Sequence, residues 1–197
     1  MAVVGFDVDA DKVTAATSVG LVAAKDSADV ATRADVVLMC VTSTGAVEVA
    51  VFGPDGVAEA PPFVKVLVDL STTEAPITVE FANRLMDQAG APVSGGPAAA
   101  LSGTLAIMAG GDPIAIEART PLMTDLAARF THMGKVGAGQ ITKMINQVLV
   151  LTNYCVLAEA LVLAEKGGYR CQQGAGSPGR GTCRFESVES HVPADDR

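Results

Sequence analysis

"VKVLVDLST" (residues 64–72) is a continuous apolar run that closes on an acid and two hydroxyls. A strand covered on both faces reads this way, because no side chain alternates out to water. "ADVVLMCVT" (34–42) repeats the pattern, and "AVVGFDV" (2–8) is a shorter version that ends in an acidic residue. Helical segments lie between and beyond these runs. "DADKVTAATSVG" (9–20) reads as a short helix with a glycine stop, and "GAVEVAVFG" (45–53) as a turn or two. "APITVEFANRLMDQAG" (75–90) stacks Ile77, Phe81 and Leu85 four apart on one side of a helix. "APVSGG" (91–96) is a strand end with a glycine turn, and "TLAIMAGG" (104–111) is a strand. "DPIAIEARTPLMTDLAARF" (112–130) is a helix opened by Asp112 and Pro113. "HMGKVG" (132–137) is a last short strand before one long helix, from about Gly139 to Lys166. Strands alternating with helices predict an α/β fold, a parallel sheet with helices on both faces.

The bulk numbers narrow the function. The chain has 197 residues, 49% of them apolar, and a net charge of −8. That is enough for one good core. The negative charge and the scatter of the basic residues argue against nucleic acid or an anionic membrane as partner. The N-terminus lacks a basic n-region and a small-residue cleavage site, so no signal peptide is read and the expected compartment is the cytosol. Val148–Ala164 is the most apolar stretch, but Asn153, Tyr154 and Glu159 interrupt it, and a membrane span is not expected. Of four cysteines, Cys40 and Cys155 read as small buried hydrophobes, while Cys171 and Cys183 lie in a polar tail. With two histidines and no CxxC, a metal site has almost no ligands to draw on.

In a doubly wound sheet, ligands bind at the carboxyl ends of the strands. The residues to inspect are therefore Asp7, Val41 to Thr44, Asp69 to Thr73, and Val93 to Gly96. An acid at the end of a second strand can accept hydrogen bonds from an adenosine ribose and repel a 2′-phosphate, favouring NAD over NADP. Asp7 also reads as a helix cap or a surface acid. Consecutive amides at Ser94, Gly95 and Gly96 could cradle a carboxylate, or make a plain tight turn. A literal GxGxxG at Gly174, Gly176 and Gly179 follows no strand, and Pro178 would break the helix that it needs; it is read as a decoy.

"GKVGAGQITKMINQ" (134–147) carries an ammonium and two amides into an apolar helix. Lys143 and Gln147 share a face one turn apart, with Asn146 adjacent. Lys143 is either a lysine snorkelling at a helix start or a general acid/base whose pKa an apolar cleft would lower. Spacing alone leaves both open.

Taken together, "DVVLMCVTS", "FGPDGV", "VLVDLSTTEA", "APVSGGPAAALSGTLAIMAGG" and "GKVGAGQITKMINQVLV" resemble the β-hydroxyacid dehydrogenase family, which includes 3-hydroxyisobutyrate dehydrogenases and tartronate semialdehyde reductases. The likeness covers most of residues 1–168, in the family's order. It implies an incomplete Rossmann-type sheet over 1–136, an interdomain helix over 137–168, and an NAD-dependent oxidoreductase acting on a small 3-hydroxy acid. It implies Lys143 as the catalytic lysine, with Asn146 and Gln147 beside it. Ser94, Gly95 and Gly96 match the substrate-carboxylate motif, Asp7 the ribose-binding acid, Val41 and Thr42 the loop that passes the cofactor, and Thr72 the threonine near the nicotinamide. Related imine-reducing enzymes lack the lysine, so its presence favours alcohol/aldehyde chemistry. Two positions depart from the pattern: Gly90 stands where the family usually has an acid, and Gln147 where it often has asparagine.

Both ends depart further. The family's first strand and phosphate loop have no counterpart before Asp7, which implies weak NAD binding and little turnover. Residues 169–197 have no helical period and are expected to be irregular; a shifted reading frame near Gly168 would restore an apolar-periodic continuation. Uncovered apolar positions at Val148, Leu151, Leu157 and Leu161 predict a homo-oligomer. The competing expectation is a non-catalytic remnant, either a pseudoenzyme or an oligomerising fragment.

Overall fold

β4 (Val66–Asp69) is buried along its whole length, and its residues divide between two cores. Val66 and Val68 join Ile107, Ala109, Ile116, Met123 and Ala127. Leu67 joins Ala31, Val37, Met39, Val47, Val51, Val57 and Phe81. Side chains alternate across a strand, so the two clusters are the two faces of one sheet, each covered by helices. Each fully buried Val, Leu, Ile or Phe side chain contributes about 1.5–3 kcal/mol relative to exposure.

A computed structural model describes residues 2–60, 66–85, 88–90, 93–94, 96–173 and 183–187. Ahead of β4 come β1 (Val4–Gly5), α1 (Ala10–Thr17), β2 (Val22–Ala23), α2 (Ser27–Arg33), β3 (Val36–Met39), α3 (Thr44–Phe52) and a 3-10 turn at Val57–Glu59. After it come α4 (Ala75–Leu85), β5 (Gln88–Gly90), β6 (Val93–Ser94), α5 (Gly96–Leu101), β7 (Leu105–Gly110), α6 (Pro113–Leu126), β8 (Ala127–Gly134), α7 (Ala138–Lys166), β9 (Tyr169–Gln173) and β10 (Cys183–Ser187). The chain divides into two compact units, 1–145 and 146–197.

Caps explain several boundaries. The Asp26 carboxylate accepts from Asp29 N–H at 2.7 Å to open α2, and Ser43 Oγ accepts from Ala46 N–H at 3.1 Å to open α3. Asp112 opens α6 by accepting from Ile114 and Ala115 N–H, with Pro113 in the first turn as expected.

The sheet departs from the all-parallel expectation. β3, β4 and β5 are parallel neighbours, and β7 and β8 run parallel, but β7 is antiparallel to β5 and β6. The reason is chain length: a parallel crossover needs about a dozen residues or more, and only residues 95–104 separate Ser94 from Leu105. The helix expected over 112–130 ends at Leu126, because Ala127–Gly134 pairs with β7 as β8. β1 and β2 pair with each other in a separate two-stranded sheet. β3 is less covered than its apolar sequence implies: Leu38 is 38% exposed, and β3 pairs with β4 alone among the described strands. Cys40 and Cys155, expected in the interior, are both exposed. Cys40 follows the half-covered β3, and Cys155 lies on α7.

The second unit holds most of α7. By length and composition α7 is apolar enough to cross a membrane, with a mean hydropathy of 1.7 over its best window. Val148, Leu151 and Leu157 are exposed there, and Leu161 is half-buried. In the stretch expected to be irregular, β9 and β10 pair in antiparallel register from Tyr169↔Ser187 to Gln173↔Cys183. Tyrosine and phenylalanine, present at 169 and 185, are residue types that favour strands. Gly174, Gly176 and Gly179 of the GxGxxG string lie outside the described residues.

Candidate active site

The carboxyl end of β4 carries a polar network. Asp69 is 1% exposed, and its carboxylate accepts from Ser71 N–H at 2.9 Å. Burial pushes its carboxyl pKa up, although hydrogen bonds from Ser71 and Thr73 pull the other way. Ser71 Oγ accepts from Val41 N–H at 2.9 Å, and Thr44 Oγ1 accepts from Glu74 N–H at 3.3 Å. These two bonds tie the loop after β4 to the loop after β3. Thr73 Oγ1 and Thr78 Oγ1 lie 2.8 Å apart, which holds the loop to the first turn of α4. Thr42 and Thr72 stand exposed between these anchors, and Val41 is half-buried.

α7 enters this network from the other side. Gln140 is 2% exposed. Its Oε1 accepts from Thr73 N–H at 3.1 Å, and its Nε2 donates to Ser71 O at 2.9 Å. The helix begins after Gly137, whose φ of +89° a residue with a side chain would adopt only under strain. It also begins hard against the end of β7. A Cβ on Gly110 would stand 2.9 Å from Gly139 N and 3.1 Å from Ala138 N.

One turn further on, Lys143 is 8% exposed. Burial lowers its ammonium pKa from the ordinary lysine value. An ammonium that gives up its proton more readily exchanges one more easily with a neighbouring hydroxyl. In the second unit, Asn146 Nδ2 donates to Gln147 Oε1 at 3.4 Å.

The register of β7 locates the glycine turn. Gly90↔Gly110, Val93↔Ile107 and Ser94↔Ala106 belong to one continuous antiparallel register. Because Gly90 also pairs with Asp69, Ser94 lies four residues, or about 13 Å at strand rise, beyond the carboxyl end of β4. Gly96, at the start of α5, has a φ of +68° and open space where a Cβ would stand. Gly95 lies outside the described residues.

Asp7 follows β1 at the rim of an open depression of about 580 Å³, lined also by Phe6, Val8, Ala10, Val13, Thr14 and Ala24. Its carboxylate accepts from Asp9 N–H at 2.9 Å and lies 3.8 Å from Lys12 Nζ. Asp7 is half-buried there, beside a lining that is mostly apolar.

Two participants escaped the sequence reading, Gln140 as a clamp and Lys12 as a counter-ion, while Asp69 and Ser71 lie in the strand-end stretch singled out for inspection but without the parts described here. Gln140 left one signal, an uncharged polar residue three positions before the lysine. Among the described residues, no group of three or more His, Cys, Asp or Glu side chains could hold a metal ion.

Comparison with known proteins agrees with this architecture. Residues 1–134 match the family described as the NAD binding domain of 6-phosphogluconate dehydrogenase. The chain is 31% identical to 2-(hydroxymethyl)glutarate dehydrogenase of Eubacterium barkeri, over 96% of this chain and 64% of the relative. It is 36% identical to 2-hydroxy-3-oxopropionate reductase of Escherichia coli, over 77% of this chain and 53% of the relative. A 3-hydroxyisobutyrate dehydrogenase of Mycobacterium tuberculosis, solved with L-serine, superposes with a TM-score of 0.76 at 31% identity, covering 85% of this chain and 58% of that one. The chain thus spans between about half and two thirds of the length of these relatives. A Rossmann-like α/β domain for NAD(P), a long helix after it and the likeness to these dehydrogenases and reductases together place the chain in the β-hydroxyacid dehydrogenase family.

Proposed function

We propose that this protein is an NAD-dependent oxidoreductase that interconverts a small 3-hydroxy acid and its semialdehyde. The observation that carries the reading is Lys143, a lysine 8% exposed one turn beyond the clamp on the β4–α4 loop. In the oxidative direction, Lys143 takes the proton of the substrate hydroxyl; in the reductive direction it returns one to the carbonyl oxygen. Asn146 and Gln147 orient that oxygen, and Ser94, Gly95 and Gly96 receive the carboxylate. Asp7 holds the adenosine ribose, while Val41, Thr42 and Thr72 border the cofactor further along the strand ends. A bound NAD supplies the hydride acceptor for oxidation and, once reduced, the donor for reduction. NAD is favoured over NADP because Asp7 presents a carboxylate where a 2′-phosphate would lie; Lys12, 3.8 Å away, softens that preference.

Two finer readings accompany this one. Residues 137–168 act as the interdomain helix. The sheet is complete only with a strand between β1 and β3, a reading supported by the division of the described strands into two sheets with β1 and β3 each paired on one side.

The exposed apolar residues Val148, Leu149, Leu151 and Leu157 on α7 favour a second reading, a non-catalytic oligomerising product. Absorbance at the NADH band with 3-hydroxyisobutyrate, glycerate and threonate separates the two. Turnover that Lys143→Ala abolishes supports the enzyme; a soluble, folded protein inert toward all three refutes it.

A further inference from the structure

We propose that Gln140 is the positioning residue that sets Lys143 against the β4–α4 loop, by clamping that loop to the first turn of α7. The inference rests on Lys143 as the proton-handling group.

Gln140 uses both ends of its amide on main-chain atoms that flank Thr72: Ser71 O at 2.9 Å and Thr73 N at 3.1 Å. A single hydrogen bond leaves a helix free to pivot about it. Two bonds of opposite polarity, made by one rigid planar group, fix both the distance and the rotation of the turn that carries them. An apolar side chain of similar size would fill the same volume without fixing either.

The need for such a fixture lies in the approach to the helix. Gly134 and Gly137 both have positive φ, +129° and +89°, and Gly139 sits inside the first turn. Thr142 spends its hydroxyl on Ala138 O within its own helix. The close approach of Gly110 to Ala138 and Gly139 holds this entry on the β7 side; Gln140 holds it on the side of the β4–α4 loop, and Lys143 with it. Residues three apart on a helix lie on neighbouring rows of one face, so a displacement at position 140 is passed to position 143 nearly undiminished. A misplacement of about 1 Å can cost as much as 10²-fold in rate. The same clamp holds both neighbours of Thr72, so one side chain registers the proposed nicotinamide threonine and the proposed proton carrier against each other.

The test reads Lys143 directly, in the full chain. Competitive acylation with acetic anhydride across a pH series, followed by peptide mass spectrometry, gives the titration and reactivity of each lysine without needing turnover. In the unaltered protein Lys143 should titrate below the ordinary lysine value. In Gln140→Leu and in Gln140→Met, which both lose the acceptor for Thr73 N–H and the donor to Ser71 O without adding a charge, its titration should move toward that value. If turnover is measurable, kcat should fall about 10- to 100-fold with KM changed far less. Gln140→Met carries the test if Gln140→Leu does not fold. A lowered Lys143 titration that neither folded variant moves makes Gln140 a stability residue only and overturns this proposal alone. A Lys143 that titrates at the ordinary lysine value in the unaltered protein overturns the proton-handling reading and this inference with it.

Discussion

Gly110→Ala should destabilise the protein through one methyl group. Gly110 is the last residue of β7 and is buried. The added Cβ would stand 2.8 Å from Lys135 O, 2.9 Å from Gly139 N and 3.1 Å from Ala138 N. All three are backbone atoms, so no side chain can swing aside; the start of α7 must move or β7 must bend. Overpacking of this kind costs about 1–3 kcal/mol, and rigid backbone places this case near 3. Alanine recovers about 0.4–1 kcal/mol by restricting the unfolded chain. The net loss is therefore roughly 2 kcal/mol, or a fall in Tm of about 4–8 °C for a chain of this length. Gly45→Ala is the control. Gly45 lies in the first turn of α3 with nothing within 4 Å of its would-be Cβ, so the same substitution there should stabilise by about 0.5 kcal/mol. Urea midpoints followed by far-ultraviolet circular dichroism measure both. A Gly110→Ala protein within about 0.5 kcal/mol of the parent, against the cost expected of overpacking, would refute the close approach of β7 to α7.

Lys143→Met should lower turnover by about 10²- to 10⁴-fold, the usual worth of a general acid/base, and raise stability at neutral pH. The folded-state pKa of Lys143 is lowered below 10.5, so the folded protein binds fewer protons across that window and the parent gains stability as pH rises through it. The advantage of the methionine variant should thus shrink between pH 7 and pH 10; equal urea midpoints at pH 7 would contradict the burial cost. Asp69→Asn has the opposite pH signature. The folded-state pKa of Asp69 is raised above 3.8, so the parent loses stability as pH climbs from 3.8 through the raised value, and the asparagine variant should be spared that loss; parallel pH–stability curves for the two proteins would disprove it. Asp7→Ser should shift the ratio of NAD to NADP affinity by about fivefold toward NADP, since an exposed charge contact in water is worth roughly 1 kcal/mol. Calorimetry with both dinucleotides checks this, and an unchanged ratio would remove Asp7 from the ribose site.

Much of this molecule can be read from periodicity. The unbroken apolar run of β4 foretells burial on both faces, which two separate cores supply. The Asp112–Pro113 start of α6 is legible because a cap is a local event, complete within three residues. α7 begins within a residue of its expected start and ends where expected, at Lys166. Other features have no local signature. β2 and α2 are too short to leave a clear period. β8 begins five residues early because pairing with β7 overrides the helical preference of its first residues. The antiparallel turn at β7 could have been deduced from the short connection over residues 95–104, which is a matter of chain length rather than pattern.

By itself, the sequence determined which residues can cross the core and which cannot: apolar runs make strands, and a lone lysine in an apolar helix marks either a snorkelling charge or a reactive one. Only the tertiary structure shows that this lysine is buried, because burial belongs to the neighbours of a side chain and not to the side chain. It also decided the part played by Gln140, whose partners lie 67 and 69 residues away; a bond to main-chain atoms so distant depends on how the chain folds back and leaves no period to read.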